Sequence, residues 1–472
     1  MSPHPFLTDL GALDHLPVVT DPDVLAAYSR DRAPWVEHGA ALAMVAPEGV
    51  DDVRRVLELA ARHGVPVVPR GAGSGLTGAA NASAGCVIVS THRMRPEPVL
   101  DTADRLLRVG PGQLNGEVKQ LAARRGLFYP PDPASSAFCS IGGNIATNAG
   151  GLCCIRYGVT RDWVRRLELV LPGGELVRLG HTAPKSVTGL DLTSVVVGSE
   201  GTLGVVVGAT LGLTRTRDRH ATLVASFADL AAAGHAVVAL RDRPSPPSLL
   251  EIMDAATLRA VETHRPMGLD LGAAALVLVQ IPDDGALEAE ITDLERIATE
   301  AGATDVYATT DAAEGEAMLQ ARRLAYEAFE HQGVPLLEDV AVDVSRLPDL
   351  IAAIAEVARR RGVVIGTFGH AGDGNLHPVI LARTDDPEAR TRSEAAFADI
   401  VEATLALGGT LSGEHGVGLL KLPYVAAELD PAALRLMHQV KAAFDPLGLM
   451  NPGTSLPPVA PVAPVPGAVP AG

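Results

Sequence analysis

Apolar residues recur at helical spacing in the first well-patterned segment of the chain, residues 51–62. Val53, Val56, Leu57 and Ala60 stand at positions i, i+3, i+4 and i+7. This spacing predicts a helix with one buried face, and Gly64 follows where a C-terminal cap is expected. A short apolar run at residues 65–69 then predicts a buried strand, which Pro66 and Pro69 restrict to an edge or an end of its sheet.

The segment after that strand is a loop with four glycines between Gly71 and Gly78. Glycine is used where φ becomes positive or where a ligand contacts the main chain, and successive exposed N–H groups form an anion site. Residues 73–78 match G-x-G-x-x-G, but that motif indicates a nicotinamide dinucleotide only where a helix follows it. Here an apolar run at residues 86–89 predicts a second strand instead. The loop is therefore either a tight connection between strands or a site for another phosphate-bearing ligand.

Short elements continue through the first half of the chain and predict an α+β domain. We expect a strand at residues 106–109 and a helix at residues 115–125, which Gly126 closes. Residues 167–179 form a predicted hairpin, because Pro-Gly-Gly at residues 172–174 favours a turn.

Two more glycine-rich stretches occur in this half. Residues 140–151 predict a long irregular loop, and such loops are usually functional or disordered. Residues 195–207 predict a strand interrupted by Gly-Ser-Glu-Gly at residues 198–201. Together with the first loop, these stretches indicate one large, extended ligand that carries phosphate groups.

Strand and helix patterns alternate in the second half, after a predicted boundary near residues 214–218. A strand at residues 275–281 precedes a helix whose apolar face carries Leu287, Ile291, Leu294 and Ala298. A second helix is marked by Leu347, Leu350, Ile351 and Ile354. This alternation predicts a second α/β layer.

Composition narrows the classes of function and partner. The 472 residues suffice for two or three domains, and 47% of them are hydrophobic. The net charge of -17 argues against a nucleic-acid partner. No signal peptide and no run of 18 apolar residues is evident. The four cysteines lack C-x-x-C spacing and predict free thiols in a reducing compartment. We therefore expect a cytoplasmic protein, with peripheral membrane contact left open.

Candidate metal-binding side chains occur in the second half of the chain. Predicted strands at residues 363–369 and 376–381 are joined by a segment that begins at His370 and ends at His377. Asp-Gly at residues 373–374 favours a two-residue hairpin turn, which would pair residue 370 with residue 377. The two imidazoles would then stand on one face, with Cβ atoms roughly 5 Å apart, and could share a metal ion. A polar hairpin without metal is the alternative.

The segment around Glu414 and His415 favours the metal. Glu414 would complete a set of two histidines and one carboxylate, which suits zinc, manganese or iron. His415 would remain as a base, a role that the near-neutral pKa of a histidine side chain suits.

These motifs resemble a known family. The segments at residues 69–78, 131–133, 141–151 and 198–204 are similar to the PCMH-type FAD-binding domain of the vanillyl-alcohol oxidase superfamily, in particular to the glycolate oxidase flavin subunit and flavin-linked D-lactate dehydrogenases. The resemblance runs from about residue 10 to residue 455. It implies an α+β, two-domain flavoprotein with the FAD-binding domain at residues 1–215 and a ferredoxin-like α/β cap domain at residues 216–420. A segment at residues 421–455 would return to the flavin, and the Pro/Ala/Val-rich tail at residues 456–472 is expected to be disordered.

The same resemblance implies where FAD binds. The pyrophosphate would lie on the first loop and the flavin on the second, with the third loop near the adenosine and Asn451 at the flavin. Covalent members carry a histidine in or near the first loop, and this loop has none, so non-covalent FAD is expected. The implied FAD residues are Arg70, Gly71, Ala72, Gly73, Ser74, Gly75, Pro131, Ser140, Gly143, Asn144, Gly150, Gly201, Val206 and Asn451.

Roles near the substrate follow in the same way. The resemblance assigns His370, His377 and Glu414 as ligands of a divalent metal, with zinc favoured, and His415 as the base. Asn375 would support the substrate. Residues 319–322 resemble the family's Trp-x-x-Arg segment, with Leu in place of Trp, so Arg322 would clamp the substrate carboxylate, and Arg323 is its neighbouring candidate.

The expected reaction is FAD-dependent oxidation of a D-2-hydroxy acid, D-lactate or glycolate, to the 2-oxo acid, with hydride transfer to flavin N5. D-2-hydroxyglutarate is the alternative substrate. A redox-neutral flavin-dependent alkyl transferase and a non-catalytic flavin or metal sensor are the rival functions. The electron acceptor stays open among quinone, cytochrome, electron-transfer flavoprotein and oxygen, as do a homodimer and association with partner subunits.

Overall fold

The computed structural model describes residues 4–13, 15–216, 219–382, 386 and 388–458. Part of the predicted boundary, residues 217 and 218, and the predicted tail from residue 459 onward lie outside the described residues. The four cysteines are free, as predicted.

The first sheet positions the first glycine-rich loop. Its strands are β1 (Val18–Val19), β2 (Ala43–Val45), β3 (Val67–Arg70) and β4 (Val87–Ser90), in the order β1-β2-β4-β3. β4 pairs in parallel with both β2 and β3. The strand–loop–strand prediction is confirmed, and the loop leaves the carboxyl end of β3, the edge at which open parallel sheets bind ligands.

Two antiparallel sheets follow along the chain. Their strands are β5 (Val99–Asp101), β6 (Leu106–Val109), β7 (Leu127–Phe128), β8 (Val164–Val170), β9 (Leu176–Gly180), β10 (Val205–Gly212) and β11 (Thr214–Arg215). The five-stranded sheet has the order β5-β6-β10-β8-β9, and β7 pairs with β11. The predicted hairpin is confirmed, since β8 and β9 pair around residues 171–175.

Helices pack around these three sheets. They are α1 (Pro5–Gly11), α2 (Pro22–Tyr28), α3 (Val50–His63), α4 (Asn115–Ala123), α5 (Ile141–Thr147), α6 (Cys154–Tyr157), α7 (Thr160–Trp163) and α8 (Leu192–Val196). The predicted first helix is α3, which Gly64 ends with φ of 63°.

Two predictions for this half were wrong. The segment at residues 140–151 is not irregular throughout, because the hydroxyl of Ser140 accepts a hydrogen bond from the Gly143 N–H and starts α5, which Asn148 ends in a left-handed conformation. Residues 195 and 196 belong to the end of α8 rather than to a strand, since the carboxylate of Asp191 caps that helix. A short apolar run does not by itself distinguish the two states.

The largest sheet comes from the second half of the chain. Its strands are β12 (His220–Phe227), β13 (Leu249–Asp254), β14 (Ala275–Pro282), β15 (Ala303–Thr309), β16 (Val334–Leu337), β17 (Val340–Ala341), β18 (Val364–His370) and β19 (Asn375–Ala382). The order is β15-β12-β14-β13-β18-β19-β16, and β17 also pairs with β19. The predicted strands at residues 275–281, 363–369 and 376–381 are confirmed.

Helices cover both faces of this sheet. The helices of this half are α9 (Leu230–Arg241), α10 (Ala255–His264), α11 (Leu287–Glu300), α12 (Ala312–Arg323), α13 (Ala325–Glu330), α14 (Leu347–Arg361), α15 (Ala389–Ala406), α16 (Val425–Glu428) and α17 (Pro431–Phe444). Of these, α17 lies against the first half of the chain, where Phe444 packs on the core of the five-stranded sheet. One core joins the sheet to α9, α11, α14 and α15, and another joins its opposite face to α10, α12 and α13. Alternation along β13 therefore directs Leu250 and Ile252 to the first core and Leu249 and Met253 to the second.

The predicted hairpin register was wrong. His370 pairs with Asn375, and His377 pairs with Phe368. The turn spans four residues rather than two, because residues 371–373 form a 3₁₀ turn and Gly374 is left-handed, with φ of 73°. The two histidines still share a face as diagonal neighbours, and their ring centroids are 5.0 Å apart.

The chain returns to the first sheet near its C-terminus. Met450 forms a parallel bridge beside Val67, and the Asn451 N–H donates to the Val67 carbonyl at 2.8 Å. Residues near 450 therefore lie next to the strand that leads into the first glycine-rich loop.

Candidate active site

One cavity of about 1000 Å³ joins the glycine-rich loops to the hairpin that carries the histidines. Arg70 and Gly73 of the first loop line one part of it. Phe368, His370 and His377 line another part, on the face of the large sheet that α10, α12 and α13 cover. The site therefore lies between the two halves of the chain.

The first loop has the features of a phosphate site. Gly73 has φ of 70°, and a Cβ there would stand 2.1 Å from Nη2 of Arg70, so glycine is required for the guanidinium to lie against the loop. Nη1 of Arg70 is buried without a hydrogen-bond partner. An unsatisfied buried guanidinium nitrogen that faces a cavity fits an anionic ligand such as a phosphate.

Asp31 supports this loop from behind. Its carboxylate accepts hydrogen bonds from the backbone N–H groups of Ala33 and Gly78, both at 2.9 Å. Burial raises the pKa of Asp31 to about 6, although these bonds and the charge of Arg70 oppose the shift. Asp31 therefore fixes the conformation of the loop. A Cβ on Gly75 would lie 3.1 Å from Oδ2 of Asp31, so a side chain there would press against this carboxylate.

Most of the predicted FAD residues line the cavity. Pro131 does not, and its carbonyl accepts a hydrogen bond from the Asn115 side chain at 3.2 Å. The same Asn115 amide also donates to Oδ1 of Asn144 at 3.0 Å, which fixes Asn144 in the cavity wall. The residues in the wall are Arg70, Gly71, Ala72, Gly73, Ser74, Gly75, Gly143, Asn144, Gly150, Gly201 and Val206.

Ser140 and Asn451 also lie behind this wall and connect the loops. The hydroxyl of Ser140 accepts the Ala72 N–H at 3.2 Å, which joins the second glycine-rich stretch to the first. The Asn451 amide donates to the carbonyls of Ala79 and Glu200, at 2.8 and 2.7 Å, which joins the first stretch to the third. These two side chains position the loops rather than contact the cavity.

His370, His377 and Glu414, here called the inner cluster, have ligand atoms that all lie within 4.8 Å of one another. Oε1 of Glu414 is 2.9 Å from Nε2 of His370 and 3.4 Å from Nε2 of His377. Two imidazole nitrogens directed at one carboxylate form the donor set of a divalent transition-metal ion. Gly150 packs against this set, since a Cβ there would lie 2.3 Å from Oε2 of Glu414.

The charges of the inner cluster are strongly coupled. Burial disfavours a proton on His370, but the carboxylates of Glu251 and Glu414 outweigh it and raise the pKa of His370, so a metal ion bound to this ring would have to displace its proton. Burial lowers the pKa of His377 to about 3, so this ring is neutral and able to act as a ligand. Burial would raise the pKa of Glu414, but the charge of His370 outweighs burial and lowers it. Glu414 is therefore an ionised carboxylate.

His415 lies next to the inner cluster and faces the same cavity. Its ring stacks on His377 with centroids 4.8 Å apart, and its Nε2 is 3.9 Å from Oε1 of Glu414. The backbone N–H groups of Glu414 and His415 donate to Oδ2 of Asp339 at 2.9 and 2.7 Å. The buried carboxylate of Asp339 therefore fixes the backbone so that the side chains of Glu414 and His415 both face the same pocket.

Asp339 accepts hydrogen bonds from several groups around this loop. Burial would raise its pKa, but the nearby charges of His415 and Lys421 outweigh burial and lower it. Asn375 donates its amide to Oδ1 of Asp339 at 2.8 Å and does not line the cavity. The buried ammonium of Lys421 donates to the Asp339 carbonyl at 2.8 Å and pairs with Glu338 at 3.0 Å.

Arg322 is fixed beside the inner cluster by a second carboxylate. Its Nε donates to Oε2 of Glu251 at 2.6 Å, and the other oxygen of Glu251 lies 2.7 Å from Nδ1 of His370. The side chain of Arg322 is 5% exposed and faces the cavity, with its guanidinium over the Phe368 ring. Arg323 is 38% exposed and pairs with Glu316. Arg322 is therefore the better placed of the two to meet a buried substrate.

Glu251 and Asp339 were missed by the sequence reasoning. Glu251 is a fully buried carboxylate inside the otherwise apolar run of residues 249–253, and Asp339 follows the equally buried Glu338 between the apolar residues of the segment 336–342. A charged side chain in such a run is almost never buried unless it has a partner. Carboxylates inside an apolar run were the signal in the sequence that could have identified both.

Two protein-family models match this chain. The model for the C-terminal domain of FAD-linked oxidases matches residues 216–454, and a model for an FAD-binding domain matches residues 41–180. The chain belongs to the FAD-linked oxidase family. This FAD-linked oxidase is 37% identical to the glycolate oxidase subunit GlcD of Bacillus subtilis over 90% of this chain and 91% of that protein. It is 33% identical to a D-lactate dehydrogenase of Anaerostipes hadrus, over 87% and 88% of the two chains.

Solved structures agree on the fold. A crystal structure of p-cresol methylhydroxylase with substrate bound superposes with a TM-score of 0.80, at 18% identity and with 96% of each chain covered. The predicted two-domain α+β fold with a PCMH-type FAD-binding domain is thereby confirmed. Within the described residues, no helix of this FAD-linked oxidase is both long and apolar enough to cross a membrane.

The residues of the cavity fit FAD. The unsatisfied Nη1 of Arg70 and the open glycine wall at Gly71 and Gly73 suit a pyrophosphate that must approach the main chain closely. The wall continues through Gly143 and Asn144. This wall ends at Gly150, in contact with Glu414, so a flavin there would adjoin the inner cluster.

Proposed function

We propose that this FAD-linked oxidase oxidises a D-2-hydroxy acid, D-lactate or glycolate in particular, to the corresponding 2-oxo acid. The observation that carries the proposal is the position of the inner cluster, with His415 and Arg322 beside it, in the wall of the FAD cavity. This oxidation requires three groups: a cation that binds the substrate carboxylate, metal ligands near the substrate hydroxyl, and a base that accepts the hydroxyl proton. Arg322, the inner cluster and His415 would supply them in that order.

Arg322 binds the substrate carboxylate. A guanidinium makes two parallel hydrogen bonds to a carboxylate, and Glu251 holds Nε of Arg322 so that the side chain enters the cavity in one orientation. Because Glu251 also contacts His370, the carboxylate site and the inner cluster keep a fixed spacing. We propose that a 2-hydroxy acid, whose hydroxyl is on the carbon next to the carboxylate, binds across these two sites.

His370, His377 and Glu414 hold a divalent metal ion, with zinc favoured and manganese or iron as alternatives. The ion would supply a Lewis acid that favours loss of the hydroxyl proton. Glu251, as the partner of Nδ1 of His370, fixes the orientation of that ring, which is the usual contribution of a carboxylate behind a histidine ligand.

His415 accepts the hydroxyl proton. Its ring stacks on His377, and its backbone N–H is anchored by Asp339, so the imidazole is held beside the inner cluster. The ionised carboxylate of Asp339 stabilises the positive charge that His415 acquires. Asn375 supports the substrate indirectly, by donating to Asp339.

FAD is bound without a covalent link, since the first loop from Arg70 to Gly78 contains no histidine. When bound, FAD supplies the acceptor for the hydride that leaves the substrate carbon. The chain's contribution is the pyrophosphate site at Arg70 and Gly73 and the wall from Gly143 to Gly150. Acid or heat should release the flavin from the precipitated protein.

The charge of the cavity wall supports a monocarboxylate substrate. Arg32 and Arg323 also line the cavity, but they pair with Glu330 and Glu316. Lys119 donates to two backbone carbonyls, at 2.9 and 3.2 Å. A second carboxylate, as in D-2-hydroxyglutarate, would have to displace one of these partners, so lactate and glycolate are favoured over it.

The candidate electron acceptors of the reaction are quinone, cytochrome, electron-transfer flavoprotein and oxygen. Because the relative from Bacillus subtilis is named as a subunit, association with partner subunits is part of the proposal, as is a homodimer. A cytoplasmic location, with or without peripheral contact with a membrane, accords with the absence of a spanning helix in the described residues.

A panel of D- and L-2-hydroxy acids, added without oxygen to the FAD-loaded protein, tests the proposal. D-lactate or glycolate should bleach the visible flavin band, and D-2-hydroxyglutarate should do so more slowly. A redox-neutral alkyl transferase or a non-catalytic sensor would leave the band unchanged with every acid. Bleaching by D-2-hydroxyglutarate alone would reverse the substrate preference.

A further inference from the structure

A second group of metal-ligating side chains lies apart from the inner cluster, at the edge of the same cavity. His264 is the last residue of α10, Glu327 belongs to α13, and His331 follows that helix. Their ligand atoms all lie within 4.8 Å of one another. We call these three residues the rim cluster, because Glu327 and His331 line the cavity while both are exposed to solvent.

The geometry of the rim cluster follows from helix packing. Glu327 and His331 are four residues apart, so they stand on the same face of the helical turn that ends α13. α10 packs against α13 and brings His264 to that face. Nε2 of His264 is 3.7 Å from Oε1 of Glu327, and the two imidazole centroids are 4.2 Å apart.

The tautomer of His331 is the one that a ligand requires. Nδ1 of His331 lies 2.9 Å from the backbone carbonyl of Glu327. A carbonyl only accepts hydrogen bonds, so Nδ1 carries the proton and Nε2 of a neutral ring keeps its lone pair. A histidine that binds metal almost always donates its other ring N–H to a carbonyl or a carboxylate in this way.

We propose that the rim cluster binds a second divalent ion of the zinc class at the edge of the cavity. Two imidazoles and one carboxylate are typical zinc ligands, and the exposure of Glu327 and His331 leaves room for water in the remaining position. The rim and inner clusters share no residue, so the two ions bind independently.

Zinc titration of the FAD-loaded, chelator-treated protein tests this inference, with bound metal measured after equilibrium dialysis. His264→Ala and His331→Ala should each bind one equivalent less than the wild type, with the rim affinity lowered by more than about 100-fold, since even a lost supporting contact costs 10–100-fold. FAD content should not change. His235→Ala, which removes an exposed histidine on α9 outside both clusters, is the matched control and should bind as the wild type does.

The inner cluster provides the second comparison. His377→Ala should lose the inner ion and retain the rim ion, whereas His264→Ala should show the reverse. If the inner cluster holds no metal, the wild type binds one ion and His264→Ala binds none, which separates a failure of the proposed function from a failure of this inference. Identical zinc stoichiometry and affinity in the wild type, His264→Ala and His331→Ala would overturn the rim site.

Discussion

Glu251 joins the two chemical parts of the site, and its replacement by glutamine is the most informative change. The side chain is fully buried, with one oxygen 2.7 Å from Nδ1 of His370 and the other 2.6 Å from Nε of Arg322. Glutamine has the same shape but only one accepting oxygen. Its NH₂ group must therefore face one of two N–H donors, His370 or Arg322, and one of the contacts becomes repulsive.

The size of the effect follows from the burial of these groups. Removing one partner of a buried ion pair costs about 3–5 kcal/mol, because the other charge is left without compensation. Loss of the carboxylate behind a histidine ligand typically lowers metal affinity about 10–100-fold. Glu251→Gln should therefore unfold at lower denaturant concentration, bind the inner metal more weakly and bind hydroxy acid with a higher KM.

Three measurements on the FAD-loaded protein check this prediction: denaturant unfolding, metal titration and the substrate dependence of flavin reduction. Glu356→Gln is the matched control, because Glu356 forms an exposed ion pair with Arg359 and should be replaceable without a measurable change. If Glu251→Gln keeps the metal affinity and KM of the wild type within about twofold, Glu251 does not connect the carboxylate site to the inner cluster.

The remaining predictions concern the loops and the inner cluster. Gly73→Val should abolish FAD binding, since its Cβ would displace the Arg70 guanidinium; full flavin content in the folded variant would place the phosphate site elsewhere. Arg322→Lys should raise the KM for hydroxy acid more than Arg323→Lys does, and the opposite order would make Arg323 the carboxylate ligand. Alanine at any of the three inner-cluster ligands should remove metal, whereas His415→Ala should retain metal and FAD but reduce flavin about 10²–10⁴-fold more slowly. Metal analysis that finds the ion lost with His415→Ala but kept with Glu414→Ala would reverse those two roles.

Much of the fold could be predicted from local patterns. The helical period in α3 and the Pro-Gly-Gly turn between β8 and β9 are set by residues close in sequence, and both were confirmed. The helix α5 was not predicted, because a single hydroxyl–amide contact at Ser140 initiates it within a glycine-rich segment that lacks helical periodicity. Local sequence patterns therefore predict a helix or a hairpin correctly where the spacing of apolar residues or a turn-forming sequence is clear.

The site was predicted less completely, because the residues that hold its side chains in place lie on strands far apart in the sequence. The histidines of the hairpin were brought together despite the wrong register, since a four-residue turn shifts the pairing by two and so keeps both rings on one face. Glu251 and Asp339 lie on β13 and just after β16, and only the large sheet brings them to residues 370–377 and 414–415. No local motif encodes such contacts.

Anaerobic reduction of the bound flavin by D-lactate is the decisive test for oxidation of a 2-hydroxy acid by this protein. The metal-replete wild type should bleach rapidly, and His415→Ala, with the same FAD and metal content, should bleach about 10²–10⁴-fold more slowly. A chemical reductant that bleaches both proteins equally shows that the flavin is intact. If neither D-lactate, glycolate nor D-2-hydroxyglutarate bleaches a wild-type protein whose flavin the chemical reductant does bleach, the proposed oxidation of 2-hydroxy acids is contradicted.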